Sequence, residues 1–154
     1  YNDVKRTVRA IEVFRTTGVP MSEHIRRSKM LPSPYDLFYI GLTMDRTVLY
    51  EKINQRVDRM MENGLLEEVK KLLSMGLDDS YQSMQGIGYK ELIWCLQDRM
   101  PLEKAIEMIK QESRRYAKRQ LTWFKRDKRI QWFDSSKPRL TERVTGQLNE
   151  FIHK

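Results

Sequence analysis

PLEKAIEMIKQESRRYAKRQLTWFKRDKRIQWFD, residues 101–134, carries a long helical pattern and a strand pattern back to back. Pro101 suits a first helical position, since its ring presets φ and its missing N–H is one that the first turn leaves unpaired. From there Ala105, Ile109, Tyr116 and Leu121 or Phe124 recur at helical spacing, which predicts one helix over residues 101–126 with these side chains available for burial. A few residues on, RIQWFD reads as a short strand over 130–133. Upstream, YDLFYIGL reads as a second, buried strand over 37–42. A buried strand needs neighbours, and 130–133 is the only other candidate, so the rest of the sheet is expected from residues outside this chain or from another chain.

The remaining elements are helices with clear punctuation. Asn2 or Asp3 can cap a helix over 4–17, whose Val4, Val8, Ile11 and Phe14 share one face and which Gly18 closes. Residues 19–34 hold three prolines and read as a connector. Asp45 can cap a helix carrying Leu49, Ile53, Val57 and Met60 or Met61 as far as Gly64, and a second helix over 65–75 ends at Gly76. In SMQGIGYK, residues 83–90, two glycines break any helix and permit close backbone approach to a ligand. A short helix with Leu92, Ile93 and Leu96 and a terminal one over 139–152 complete a mainly α architecture with a few strands around an incomplete sheet.

With 154 residues, a single domain can bury roughly two-thirds of the surface its unfolded chain exposes. A net charge of +8 and a pI near 9.6 direct attention to polyanionic partners. No apolar run approaches the length of about 18 residues that a membrane span needs. The single cysteine, Cys95, lies in the apolar ELIWCL, which excludes a disulfide framework, suits a reducing compartment and reads as a small core residue. His24 and His153 are too far apart for a metal site, and no carboxylate pair, nucleophile elbow or glycine-rich phosphate loop is present. The chain starts at Tyr1 and enters a helical pattern at once, so a piece of a larger protein is expected.

Chemistry concentrates in ESRRYAKRQLTWFKRDKR, where Arg114, Arg115, Lys118, Arg119, Lys125, Arg126, Lys128 and Arg129 are opposed only by Glu112 and Asp127. Like charges four residues apart, as at Arg115 and Arg119, weaken a helix by a few tenths of a kcal/mol unless an anion lies against them. Cations interleaved with Tyr116, Trp123 and Phe124 suit phosphates flanking a stacked base. The bland alternative is a solvated helix whose aromatics enter the core. Lys5, Arg6 and Arg9 form a smaller cluster for which a plain solvated face is the preferred reading.

Four segments in order, NDVKRTVRAIEVFRTTG (2–18), LTMDRTVLYEKINQRVDRMMENGLLEEVKKL (42–72), SMQGIGYKEL (83–92) and RRYAKRQLTWFKRD (114–127), resemble the tRNA dimethylallyltransferase, or isopentenyltransferase, family of the bacterial type. The resemblance implies transfer of a dimethylallyl group from dimethylallyl diphosphate to N6 of the adenosine just 3′ of the tRNA anticodon, with Mg²⁺ and release of diphosphate. It implies that residues 1–34 are the end of a helical insertion domain and its connector, and that 35–154 are the C-terminal part of a P-loop NTPase-like α/β core. The phosphate loop and the Asp near the reacting amine belong to a family region absent here, so this chain is expected to supply mainly tRNA binding and to be inactive alone. The implied setting is cytoplasmic and monomeric, with no membrane. A non-catalytic RNA-binding helical module is the alternative.

Carried over by residue, the implied tRNA contacts fall on three segments. They are Lys5, Arg6, Thr7, Val8 and Arg9; then Gln85, Gly86, Ile87, Gly88, Tyr89 and Lys90; and last Lys118, Arg119, Gln120, Leu121, Thr122, Trp123, Phe124 and Lys125. Lys118, Arg119 and Lys125 would neutralise phosphates, while Gln120 and Thr122 can hydrogen-bond sugar or base edges. Arg56 resembles a family arginine that reaches the diphosphate; the competing reading is a surface arginine paired with a neighbouring carboxylate. Trp123 either stacks on RNA or fills the core, with the core preferred.

Overall fold

The computed structural model describes residues 3–30 and 34–153, which fall into two compact units, residues 1–37 and 38–154. In the first, α1 (Val4–Thr17) starts where the Asp3 carboxylate accepts the Arg6 N–H at 3.0 Å, and stops at Gly18, whose φ of 69° an L side chain resists. The alternative cap, Asn2, lies outside the described residues. The stretch read as a connector contains a helix, α2 (Met21–Met30). Pro20 precedes it and accepts N–H bonds from Glu23 and His24 at its carbonyl, and no proline interrupts the ten residues that follow. Glu23 then holds Arg26 and Arg27 at 2.8 Å, so the prolines bracket a helix instead of preventing one. Residues 31–33 of that stretch are outside the described part. His24 Nε2 meets the Thr17 hydroxyl at 3.1 Å.

The second unit runs β1 (Tyr39–Thr43), α3 (Arg46–Glu62), α4 (Leu65–Ser74), a 3₁₀ turn (Gln82–Gln85), α5 (Tyr89–Leu96), α6 (Leu102–Phe124), β2 (Ile130–Asp134) and α7 (Leu140–Ile152). Its core gathers Val57 of α3, Leu65 and Val69 of α4, Leu92 and Ile93 of α5, and Ala105 and Ile109 of α6. Asp45 caps α3 by accepting N–H bonds from Thr47 and Val48, which hold its carboxyl below the usual range. Cys95 is half-buried at the margin of this core instead of inside it. Pro101 stands just before α6 as its cap residue, one position earlier than its preset φ suggested.

β1 and β2 pair in parallel, from Tyr39 opposite Ile130 to Thr43 opposite Asp134. Gly41 lets this pair close, because a Cβ there would approach Ile130 Cγ2 and the Trp132 ring to 2.7 Å. The expected buried strand is only half-buried, and Leu42 is 56% exposed. With a single partner strand among the described residues, β1 keeps an open edge and an open face. Phe38 stacks near Phe151 of α7 at 5.5 Å, and Arg143 of α7 lies over the Phe133 ring.

Candidate nucleic-acid interface

Helix α6 supplies most of the candidate site because it outruns the core. Ala105 and Ile109 are buried, but beyond them Tyr116 is 49% and Phe124 39% exposed, and Trp123 reaches 67%. The sequence had these aromatics available for burial and preferred the core for Trp123. The structure corrects this, since the second half of α6 borders open grooves where the first half meets α3 and α5.

Pairing sorts the cations of the basic run. Arg114 turns inward, donating to Asn54 Oδ1 of α3 at 2.6 Å and to Glu107 at 3.0 Å. Arg115 holds Glu112 at 2.6 Å and Arg129 holds Asp127 at 2.6 Å. That last pair pulls the Asp127 carboxyl down to about 2, chiefly through the hydrogen bond from the Arg129 side chain. Arg119 lies over the Tyr116 ring at 5.7 Å. Lys118, Lys125, Arg126 and Lys128 form no ion pair among the described residues. These unpaired charges are free to meet phosphate oxygens, and no partner has to be displaced.

A groove of about 750 Å³ lies between α3, the 3₁₀ turn and α6, floored by Ile53, Val57 and Ile109 and edged by Arg56, Gln85, Gly86, Ile87, Tyr116 and Gln120. It brings Arg56 together with parts of the second and third implied contact segments. Arg56 lines this groove and forms no ion pair with a carboxylate among the described residues. The turn that presents Gln85 to Ile87 is fastened from behind. Buried Glu91 accepts the Gly88 N–H at 2.8 Å, and the Gln85 amide donates to the Asp79 carbonyl. Gly88, at φ 105°, begins α5 in a backbone conformation that glycine tolerates best.

Other members of the three segments are placed elsewhere. Tyr89 donates to Glu68 of α4 at 2.5 Å, which raises its phenol, and Lys90 lies 4.5 Å over the Trp94 ring. Leu121 and Phe124 face the sheet across an apolar groove of about 370 Å³ lined also by Gly41 and Trp132. The Thr122 hydroxyl donates to the Lys118 carbonyl at 2.9 Å, so it retains only its acceptor role. In the first unit, Arg6 pairs with Asp3 and Arg9 with Glu12, the Thr7 hydroxyl donates to the Asp3 carbonyl, and Val8 and Lys5 are exposed. The carried-over segments omit Arg126, which lines two grooves, and Arg46, which lies over Tyr50 beside Lys118 and Lys125. Spacing could have flagged Arg46, four residues before an aromatic on one helix face.

Among the described residues no three His, Cys, Asp or Glu side chains come together as a metal site, and no helix is long and apolar enough to cross a membrane. Residues 1–127 match the family model described as IPP transferase. A tRNA dimethylallyltransferase of Carboxydothermus hydrogenoformans is 51% identical over 96% of the chain, and one of Oceanobacillus iheyensis is 47% identical over 97%. The chain spans about half the length of these curated relatives, 47% of each. Among solved structures, a tRNA Δ2-isopentenylpyrophosphate transferase of Staphylococcus epidermidis matches with a TM-score of 0.72 and 40% identity, covering 97% of this chain and 50% of that one. The full-length tRNA isopentenylpyrophosphate transferase of Bacillus halodurans matches with a TM-score of 0.73 and 42% identity, covering 99% and 46%.

Proposed function

The chain belongs to the IPP transferase family, and from that premise we propose that it is the tRNA-gripping part of an enzyme that moves a dimethylallyl group from dimethylallyl diphosphate to N6 of the adenosine just 3′ of the anticodon. One observation carries the reading: the second half of α6 sets unpaired cations among exposed aromatic rings. Cations alone suit any polyanion, whereas the rings suit unpaired bases, and an anticodon loop offers both phosphates and bases.

The reaction is a displacement at an allylic carbon. The N6 lone pair forms a bond to that carbon, the carbon–oxygen bond to diphosphate breaks, and the amine gives up a proton to a base that the rest of the enzyme would supply. Charge grows on the departing diphosphate, so a free guanidinium at its edge stabilises that stage. Arg56, unpaired at the rim of the apolar-floored groove, is the residue of this chain we assign to that task. Lys118, Arg119 and Lys125 take backbone phosphates, and Gln85 to Ile87 with Gln120 border the space a turned-out base would occupy. Mg²⁺, which the resemblance implies, would be bound mainly by the part of the enzyme N-terminal to this chain. By the same reading the strand pair would belong to a P-loop NTPase-like core and α1 to the end of a helical insertion domain, in a cytoplasmic enzyme that is monomeric when complete.

The test is titration of this chain with an unmodified anticodon stem-loop at several salt concentrations, beside the same hairpin with the target adenosine replaced. Discrimination means that these residues already read the modification site. Equal, salt-sensitive binding means that they supply grip alone. Binding that shows no salt dependence overturns the proposal.

A further inference from the structure

Gln85, Gly86 and Ile87 line the groove between α3 and α6, whereas Tyr89, two residues on, does not. Its ring packs against the core, and its hydroxyl crosses to α4 to meet Glu68 Oε1 at 2.5 Å. That bond, aided by burial, raises the phenol, so Tyr89 keeps its proton and remains the donor. The acceptor is committed to nothing else. Its neighbour Glu67 takes Lys70 at 2.7 Å, while Glu68 forms no ion pair among the described residues. Both the ring and α4 stand close behind the turn: a Cβ on Gly86 would lie 3.9 Å from Tyr89 Cδ2, and one on Gly88 would lie 3.9 Å from Leu65 Cδ2.

Gln85, Gly86 and Ile87 are all exposed, so little of their own packing fixes where they stand. Glu91 holds the Gly88 N–H from α5, and the Tyr89–Glu68 bond adds a second tie, from a helix that contributes no residue to the groove. Resting on the tRNA reading above, we infer that Glu68 is a positioning residue: through the Tyr89 hydroxyl, α4 holds Gln85 to Ile87 at the groove edge that borders the turned-out base. Tyr89 then serves the site as a strut, not as the RNA contact that the resemblance implies. Without the tie the turn visits other positions, and affinity falls in proportion to the fraction of molecules whose turn is in place. No phosphate contact is lost, so the salt dependence stays as it is.

The experiment is anisotropy titration of a labelled anticodon stem-loop, across a salt series, with the chain and with Glu68→Ala, Glu68→Gln, Tyr89→Phe and the double variant Glu68→Ala/Tyr89→Phe. Glu68→Gln removes the same charge as Glu68→Ala but keeps an oxygen that accepts from Tyr89, so it separates the tie from the field of the carboxylate. Glu68→Ala should bind more weakly than Glu68→Gln, and Tyr89→Phe more weakly than the parent, each by on the order of three- to ten-fold with an unchanged salt slope. The double variant should be no weaker than Glu68→Ala, because both substitutions break one link. On a hairpin lacking only the target base, Glu68→Ala should match Glu68→Gln. If Tyr89→Phe weakens binding while Glu68→Ala matches Glu68→Gln, Tyr89 touches RNA directly and the positioning role falls. If urea midpoints drop and affinities do not, the tie is structural only and the role again falls. If the parent holds the intact and the base-less hairpin equally, the turn meets no base; the inference fails and the tRNA reading stands. If the parent shows no salt-dependent binding, both fail.

Discussion

From Leu102 to Arg114, α6 carries Lys104, Lys110 and Arg114; from Arg115 to Phe124 it carries Arg115, Lys118 and Arg119. The number of cations is equal and their circumstances differ. In the first half Lys110 meets Asp58 at 2.6 Å, Arg114 reaches Asn54, and both anchor the helix to α3 over a buried Ala105 and Ile109. In the second half Arg115 alone is ion-paired, Tyr116 is half-exposed and Trp123 is largely exposed. Charge density along a helix therefore does not locate a binding surface. The proposed tRNA surface rests instead on cations that are without ion pairs among the described residues and lie beside exposed rings.

The largest expected effect lies in the first half. Ile109→Ala should cost about 2–5 kcal/mol, read as a shift of the urea midpoint. Trp123→Ala should leave that midpoint in place, and an equal loss would erase the distinction between the halves. Next, Arg114→Ala abandons a part-buried Asn54 amide oxygen and Glu107, and should cost about 1–3 kcal/mol with an unchanged salt slope for RNA binding. Arg119→Ala should do the reverse, lowering the slope by about one unit with stability altered by less than about 0.5 kcal/mol. A slope change in Arg114→Ala, or none in Arg119→Ala, would show that pairing does not sort the cations.

The smallest effect concerns acid. Asp127 is held at about 2, below its ordinary 3.8, so its favourable contribution is complete above the ordinary value and disappears as pH falls through the lower one. Asp127→Asn should flatten the melting temperature against pH between these two values. The increment is small because the pair is exposed to solvent.

Most helices were legible because their ends are marked chemically, by Asp3 and Asp45 at the starts and by Gly18, Gly64 and Gly76 at the stops. The helix α2 was not, since proline density on both sides resembles a loop when the ten residues between carry mixed charge. Periodicity also placed Tyr116 and Phe124 on faces suitable for burial, yet it cannot say where along a helix the neighbours end. Basic residues likewise announce a surface without revealing which are committed: the inward turn of Arg114 depends on Asn54, far away in sequence and silent in any local pattern. Glu91 is the same case, an acid that looks solvated in YKELIW and is buried as the fastening of the Gly86 to Gly88 turn.

The parallel pairing of β1 with β2 joins residues about ninety positions apart, with four α-helices strung between them, and this bears on how the chain reaches its native state. Contacts of α4 with α3 and α5, and of α5 with the first half of α6, close short loops, so they should assemble early, whereas the strand pairing should follow the placement of α6 against α3. Pulse-labelling hydrogen exchange during refolding should therefore protect the amides of α5 and early α6 before those of Ile40 and Trp132. The grooves beside the sheet and at the far end of α6 would then be the last parts of the molecule to acquire their shape.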